Sequence, residues 1–209
     1  MSSITNGRPE TLDPAALPRM TYEEFLEWPH ENHHVEWVNG RVVPMPPVGT
    51  EHGSVAVFLT TLLNLWVEYH RAGVVLCEPV NMKTGPQLPG RSPDVFFVAN
   101  ENLSRVKKTF VDGPADLVIE VVSPESRSRD EGEKFSEYEQ GGVREYWIID
   151  PERRQAGFYQ LDAKGIFRPI APTAQGVCES VVLPGLWLKL DWLWQRPLPL
   201  HDAQRALKL

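Results

Sequence analysis

Leu117-Val118-Ile119-Glu120-Val121-Val122, closed at once by Ser123-Pro124, is an apolar run with one carboxylate set into it. Its apolar density indicates a strand covered on both faces, as in a sheet flanked by helices; a half-solvated strand would alternate with polar residues. Ser92-Pro93-Asp94-Val95-Phe96-Phe97-Val98 has the same character, with its proline where a strand can begin without donating to a ladder. A charge inside such a strand is costly unless it is paired or bound to a metal. Asp94 and Glu120 therefore need partners, and Lys134 follows a short distance beyond, on a segment that reads as a helix.

The flanking chain supplies the rest of a mixed domain. Thr21 and Glu24 stand at the capping-box positions of a short helix. Asn39-Gly40 between Val35-Glu36-Trp37-Val38 and Arg41-Val42-Val43 signals a hairpin, because that dipeptide favours the turn that matches strand twist. Over 52–71, Val55, Phe58, Leu59, Leu62, Leu63, Trp66 and Val67 recur at helical spacing, and Gly73 stops the helix. Strands are expected over 74–78, 80–83, 94–98, 117–122 and 145–150, the last closed by Pro151. A hairpin is expected over 155–161 and 166–170, and two further short strands or turns over 181–194. The polar segment 126–140 is helix-compatible and ends at Gly141-Gly142. These elements predict an α/β (α+β) fold: a central mixed β-sheet carrying Asp94 and Glu120, flanked by helices over 52–71 and 128–141. Residues 1–19 read as a flexible N-terminal arm and 20–209 as a single domain.

Composition narrows the function. An apolar fraction of 42% and a charged fraction of 23% are ordinary for a globular protein. A net charge of −7 argues against a protein held to nucleic acid mainly by neutralising phosphates. It leaves room for a nuclease, whose acids can belong to a metal site. Cys77 and Cys178 alone make neither a disulfide framework nor a cysteine zinc site. The N-terminus lacks a basic-then-apolar signal pattern. The longest apolar stretch, 55–67, is interrupted by Thr60, Thr61 and Asn64 and is too short to span a bilayer, so a cytoplasmic location is expected.

Each member of the acidic pair has an ordinary explanation. Asp94 can be an aspartate at a loop-to-strand boundary accepting backbone hydrogen bonds. Glu120 can be a buried salt bridge, to Arg91 or Arg127. Lys134, four residues after Asp130, can be an exposed helical ion pair. Together they can also be something else. Two hard carboxylate oxygens suit Mg²⁺ or Mn²⁺, which keep several waters and bind substrate phosphate. A nearby ammonium can orient the attacking water and balance charge building on the phosphorus oxygens. Those roles make a minimal site for hydrolysing a phosphodiester.

Ser92-Pro93-Asp94, Glu120-Val121-Val122-Ser123-Pro124, Lys134 with Tyr138, and Gly142-Val143 with Glu145-Tyr146-Trp147-Ile148-Ile149-Asp150-Pro151 resemble the Uma-two type of restriction endonuclease. That family belongs to the PD-(D/E)XK nuclease superfamily. Glu36-Trp37-Val38-Asn39-Gly40-Arg41 and His52 are similar to its N-terminal signatures, and the resemblance covers roughly residues 20–190. It implies a restriction-endonuclease-like core with Asp94 and Glu120 as metal ligands and the backbone carbonyl of Val121 as a third. The superfamily's usual lysine falls two residues after the second acid, where this chain has Val122. The resemblance implies a migrated lysine, Lys134, reaching the site from the following helix.

Other candidates stay open between function and architecture. Glu36 either completes the acidic site or faces solvent, and His52 either caps the long helix or contacts phosphate. Asp150 before Pro151 reads as turn chemistry. His30, His33 and His34 have helical metal-ligand spacing but no evident fourth partner, and read as surface residues. Arg105, Lys107 and Lys108 form a small basic patch, either solvated or against a phosphate backbone. No phosphate loop, serine-nucleophile elbow or cysteine–histidine signature is present.

The expected activity is metal-dependent hydrolysis of DNA by an activated water at Asp94, Glu120 and Lys134, with Glu36 and His52 in support. The alternatives are a non-catalytic binding or oligomer-forming protein that keeps the fold, and a small-molecule phosphoesterase. No membrane association is expected. Trp187, Leu188, Leu190, Trp192, Leu193 and Trp194 suggest an apolar edge and hence a homodimer, which would let each protomer address one DNA strand.

Overall fold

The computed structural model describes residues 18–28, 35–124 and 126–209. The expected arm, apart from Pro18 and Arg19, and His30, His33 and His34 lie outside the described residues. The capping box forms as expected, with Glu24 Oε2 accepting from Thr21 N at 2.7 Å and Thr21 Oγ1 accepting from Glu24 N at 3.2 Å, and it starts helix α1 (Tyr22–Glu27). Strands β1 (Val35–Val38) and β2 (Arg41–Pro44) form the hairpin. Asn39 and Gly40 both take positive φ, at 50° and 79°, which is what a turn of this hand requires.

Helix α2 (Thr50–His70) begins two residues before the sequence suggests and buries the whole predicted stripe from Val55 to Val67. Each such side chain contributes about 1.5–3 kcal/mol by leaving water, so this face anchors the domain. The chain then runs through β3 (Gly73–Cys77), β4 (Asn81–Lys83), β5 (Gly90–Arg91), β6 (Val95–Ala99), β7 (Phe110–Asp112) and β8 (Leu117–Val121). A π-helical turn, Arg129–Glu133, leads into α3 (Lys134–Gly141). Strands β9 (Glu145–Asp150), β10 (Gln155–Leu161), β11 (Phe167–Pro169), β12 (Val177–Glu179) and β13 (Trp187–Lys189) follow, then α4 (Leu190–Leu193) and α5 (Leu200–Leu207).

The central sheet has six strands in the order β11-β10-β9-β8-β6-β3, with β8 and β9 parallel and the other pairs antiparallel. Strand periodicity divides its core in two. Val95, Phe97, Leu117, Ile119 and Val121 face α2, whereas Phe96, Val98, Val118 and Val122 pack with Tyr138, Tyr146 and Phe167. Coverage of both faces is why these strands read as continuous apolar runs.

Two features were not visible in the sequence. A second, five-stranded sheet, ordered β2-β1-β5-β4-β7, lies beside the central one. Its strands are too short to show a period, and β5 is only two residues. Gly90 is required there because a Cβ would meet Tyr22 Cε2 at 2.5 Å and Asn81 Oδ1 at 2.6 Å. The late tryptophans also turn inward. Trp192 is buried, Trp187 lies tilted against it with ring centroids 5.1 Å apart, and Trp187 and Trp194 pack onto the core cluster under α2. The apolar edge behind the homodimer expectation is thus spent within the chain, because the C-terminal segment folds back on α2.

Candidate active site

Val95 pairs with Ile119 across the antiparallel β6/β8 ladder. Asp94 precedes the first and Glu120 follows the second, so the register brings the two acids to one end of neighbouring strands. Asp94 Oδ2 accepts from Val121 N at 2.6 Å and lies 3.2 Å from His52 Nε2. The backbone bond is the ordinary one foreseen for an aspartate at this boundary, but it occupies one oxygen only. Glu120, in step with Val118 and Val122, projects to the α3 side, where its Oε1 accepts from the Tyr138 hydroxyl at 2.8 Å. Among the described residues Asp94 Oδ1 and Glu120 Oε2 have no partner, and neither is sealed from solvent.

Lys134 opens α3 and is 3% exposed. Its Nζ lies 2.9 Å from Glu120 Oε1, 3.3 Å from Asp130 Oδ1 and 3.6 Å from Glu36 Oε1. The Asp130 pairing foreseen at the surface is therefore present but points inward. The π turn explains the difference: Lys134 N donates to Arg129 O five residues back, a wider turn than an α-helix makes, with Asp130 and Lys134 together on the sheet side. Burial disfavours the Lys134 ammonium, but Glu120, Glu36, Asp130 and Asp94 outweigh it and hold its pKa above the ordinary lysine value. Burial likewise holds the Glu120 carboxyl well above the usual carboxylate range, with Asp94 and Asp130 pushing the same way against the pull of Lys134.

Glu36 does not face solvent. It is fully buried behind Lys134, with Oε2 accepting from Arg91 Nη1 at 2.8 Å and Oε1 from Ser92 N at 3.2 Å. Burial raises its pKa, but Lys134 and Arg91 outweigh that and leave it lowered. Arg91 also holds Glu137 through two bonds of 2.8 Å, which ties the second sheet to α3. Neither arginine named as a partner for Glu120 meets it: Arg91 takes Glu36 and Glu137, and Arg127 takes Asp150 and Glu152. Asp150 also accepts from Arg153 N, as turn chemistry predicts.

His52 is not the cap of α2; Gly49 holds that position and His52 sits within the first turn, facing Asp94. Burial lowers its pKa, but Asp94 outweighs that and leaves it raised. Val121, His52, Asp94, Glu120, Asp130, Lys134 and Arg129 line one cleft of about 30 Å³. Arg105 and Lys107 are not among its lining residues, and bond to the carbonyls of Pro114 and Ser104. In the sequence Asp130 and Arg91 are visible only as candidate ion-pair partners, of Lys134 and Glu120, and Arg129 left no signal at all.

Among the described residues no group of three or more His, Cys, Asp or Glu side chains is spaced to hold a metal ion. Mg²⁺ does not need three, since it is commonly held through one or two carboxylates with waters and substrate phosphate making up the rest. Asp94 Oδ1 and Glu120 Oε2 are two open carboxylate oxygens in one cleft, so the donor set fits such an ion. No helix among the described residues is long and apolar enough to cross a membrane.

Residues 22–191 match the family model Uma2, whose description is "Putative restriction endonuclease". The crystal structure of "a putative nuclease belonging to DUF820" from Anabaena variabilis ATCC 29413 is similar with a TM-score of 0.68 at 17% identity, over 84% of this chain and 97% of that one. At that identity the likeness concerns the fold alone. No curated protein matches the chain.

Proposed function

This chain belongs to the Uma2 restriction-endonuclease family, and from that premise we propose that it is a metal-dependent endonuclease acting on DNA phosphodiester bonds. The observation that carries the reading is the buried Lys134 ammonium turned into the cleft that Asp94 and Glu120 line. Asp94 and Glu120 would hold Mg²⁺ or Mn²⁺, with the Val121 carbonyl a third ligand on the family pattern. When bound, the ion would supply Lewis-acid activation of the phosphodiester and of water.

The chain's own residues do the rest. Val122, at the superfamily's usual lysine position, is buried with Tyr138 and Phe96, so that position cannot deliver a cation. Lys134 brings its charge from α3 instead, fixes Glu120 Oε1 and balances charge gathering at phosphorus. Tyr138 fixes the same oxygen, leaving Oε2 turned to the cleft. Glu36 holds Lys134 from behind, and His52 orients Asp94 through Oδ2. The cleft of about 30 Å³ adjoins a groove of about 320 Å³ that shares Val48, His52, Glu78 and Asp94 with it, so a phosphate at the acids has room beside it for the chain that carries it. A cytoplasmic location and a homodimer belong to the same reading, the dimer now resting on the two-fold symmetry of a duplex rather than on an exposed apolar edge.

Incubation of the purified protein with supercoiled plasmid and Mg²⁺ or Mn²⁺ tests it. Nicking by the wild type, lost in Asp94→Asn, Glu120→Gln and Lys134→Met, is expected. Intact plasmid under all these conditions would leave the non-catalytic reading standing. Light scattering at a mass near 23.7 kDa across micromolar concentrations would decide for a monomer.

A further inference from the structure

Lys134 has three N–H donors and three carboxylates within 3.6 Å. Its charge is shared among those carboxylates as ion pairs, with Glu120 Oε1 the nearest at 2.9 Å. The same cleft is lined by a second cation in the opposite condition. Arg129, at the start of the π turn, has its Nε sealed from solvent without an acceptor. Among the described residues its guanidinium makes no hydrogen bond or ion pair. Five other arginines, Arg91, Arg127, Arg144, Arg168 and Arg196, are paired with carboxylates. With 28 acids to 21 basic residues, a cleft arginine beside Asp130 and left unpaired is not explained by a shortage of carboxylates. A sealed donor without an acceptor is costly, and the side chain that carries it lines the cleft with the rest of its guanidinium unpaired.

We propose that Arg129 is the phosphate-contacting residue of this cleft, its guanidinium donating to non-bridging oxygens of the phosphodiester held against Asp94 and Glu120. The planar pair of Nη groups, which are not sealed as Nε is, matches two oxygens of one phosphate, which a point ammonium does not. The inference deepens the nuclease reading and rests on it, and divides the work between the two cations: Lys134 orders the carboxylates, and Arg129 makes the hydrogen bonds to the anion.

The test follows the Nε–H resonances of protein carrying isotope-labelled arginine, with Arg129 assigned by its loss in Arg129→Lys. Dimethyl phosphate, a diester without base or sugar, is titrated in. The Arg129 signal is expected to shift saturably while those of Arg91 and Arg127, locked onto carboxylates, stay in place. In a Glu120→Gln background, which is expected not to cut, Arg129→Gln should weaken binding of a fluorescein-labelled DNA duplex about 10-fold or more, and Arg129→Lys should recover part of it. An Arg129 signal that stays still while the duplex binds, or unchanged affinity in Arg129→Gln, would overturn the assignment. Because the titration uses the wild-type fold, it decides even if Arg129→Gln does not fold. The nuclease reading fails separately: a wild type that leaves plasmid intact, yet whose Arg129 signal still moves with dimethyl phosphate, keeps the oxyanion contact and loses the cleavage.

Discussion

Replacing Lys134 with methionine removes the cation that three buried carboxylates share while nearly keeping the side-chain volume. At an effective dielectric constant of about 20, charges 2.9, 3.3 and 3.6 Å apart attract by about 6, 5 and 5 kcal/mol. Most of that is offset by the cost of stripping water from the ammonium and by repulsion among Glu120, Asp130 and Glu36. The measurable loss is therefore smaller, about 3–5 kcal/mol, as when one partner of a buried pair is taken away. For a domain of this length that lowers Tm by about 6–20 °C. Urea and thermal unfolding measure it without reference to activity. The partner is identified by a cycle: Lys134→Met with Glu120→Gln should be less damaging than the two single losses together, by about 1–3 kcal/mol. A Lys134→Met protein within about 0.5 kcal/mol of the wild type would refute the reasoning, as would strict additivity with Glu120→Gln. In the plasmid assay the same variant should not cut, yet should still bind metal in calorimetry.

Chelation by EDTA should abolish nicking and added Mg²⁺ or Mn²⁺ should restore it; equal activity with and without chelator would remove the ion from the mechanism. Gly73→Ala should lose at least about 2 kcal/mol in denaturant unfolding, because its φ is 156° and a Cβ would lie 2.1 Å from Val98 O; an unchanged midpoint would contradict that. Glu145→Ala strands the donors of Trp147 Nε1 and Ser180 Oγ, bonded at 2.7 and 2.9 Å, and should cost about 2–4 kcal/mol. Faster amide exchange at Val181 and Val182, whose N–H groups the same carboxylate accepts, should accompany it; unaltered exchange would show that Glu145 does not hold that segment.

What the chain announces locally came out nearly as written. The capping box at Thr21, the Asn39-Gly40 hairpin, the α2 stripe and the runs around Asp94, Glu120 and Glu145 are each encoded within a few residues. Helix and strand periods, cap chemistry and turn conformation act over that distance. The adjacency of Asp94 and Glu120 could be inferred because Asp94 opens one run buried on both faces and Glu120 stands near the end of the other. The surroundings of those acids could not. Glu36 meets Arg91 and Lys134 from 55 and 98 positions away in the chain, and no local period records such a pairing. Lys134 and Asp130 have the same spacing of four whether the pair faces water or the sheet. The π turn and the packing of α3 against β8 settle which, by bringing both residues to the Glu120 side. The late tryptophans look the same in sequence whether they cover their own core or a neighbour's. Their burial follows from α4 and α5 folding back onto α2, where apolar area leaves water against whatever surface the rest of the fold presents.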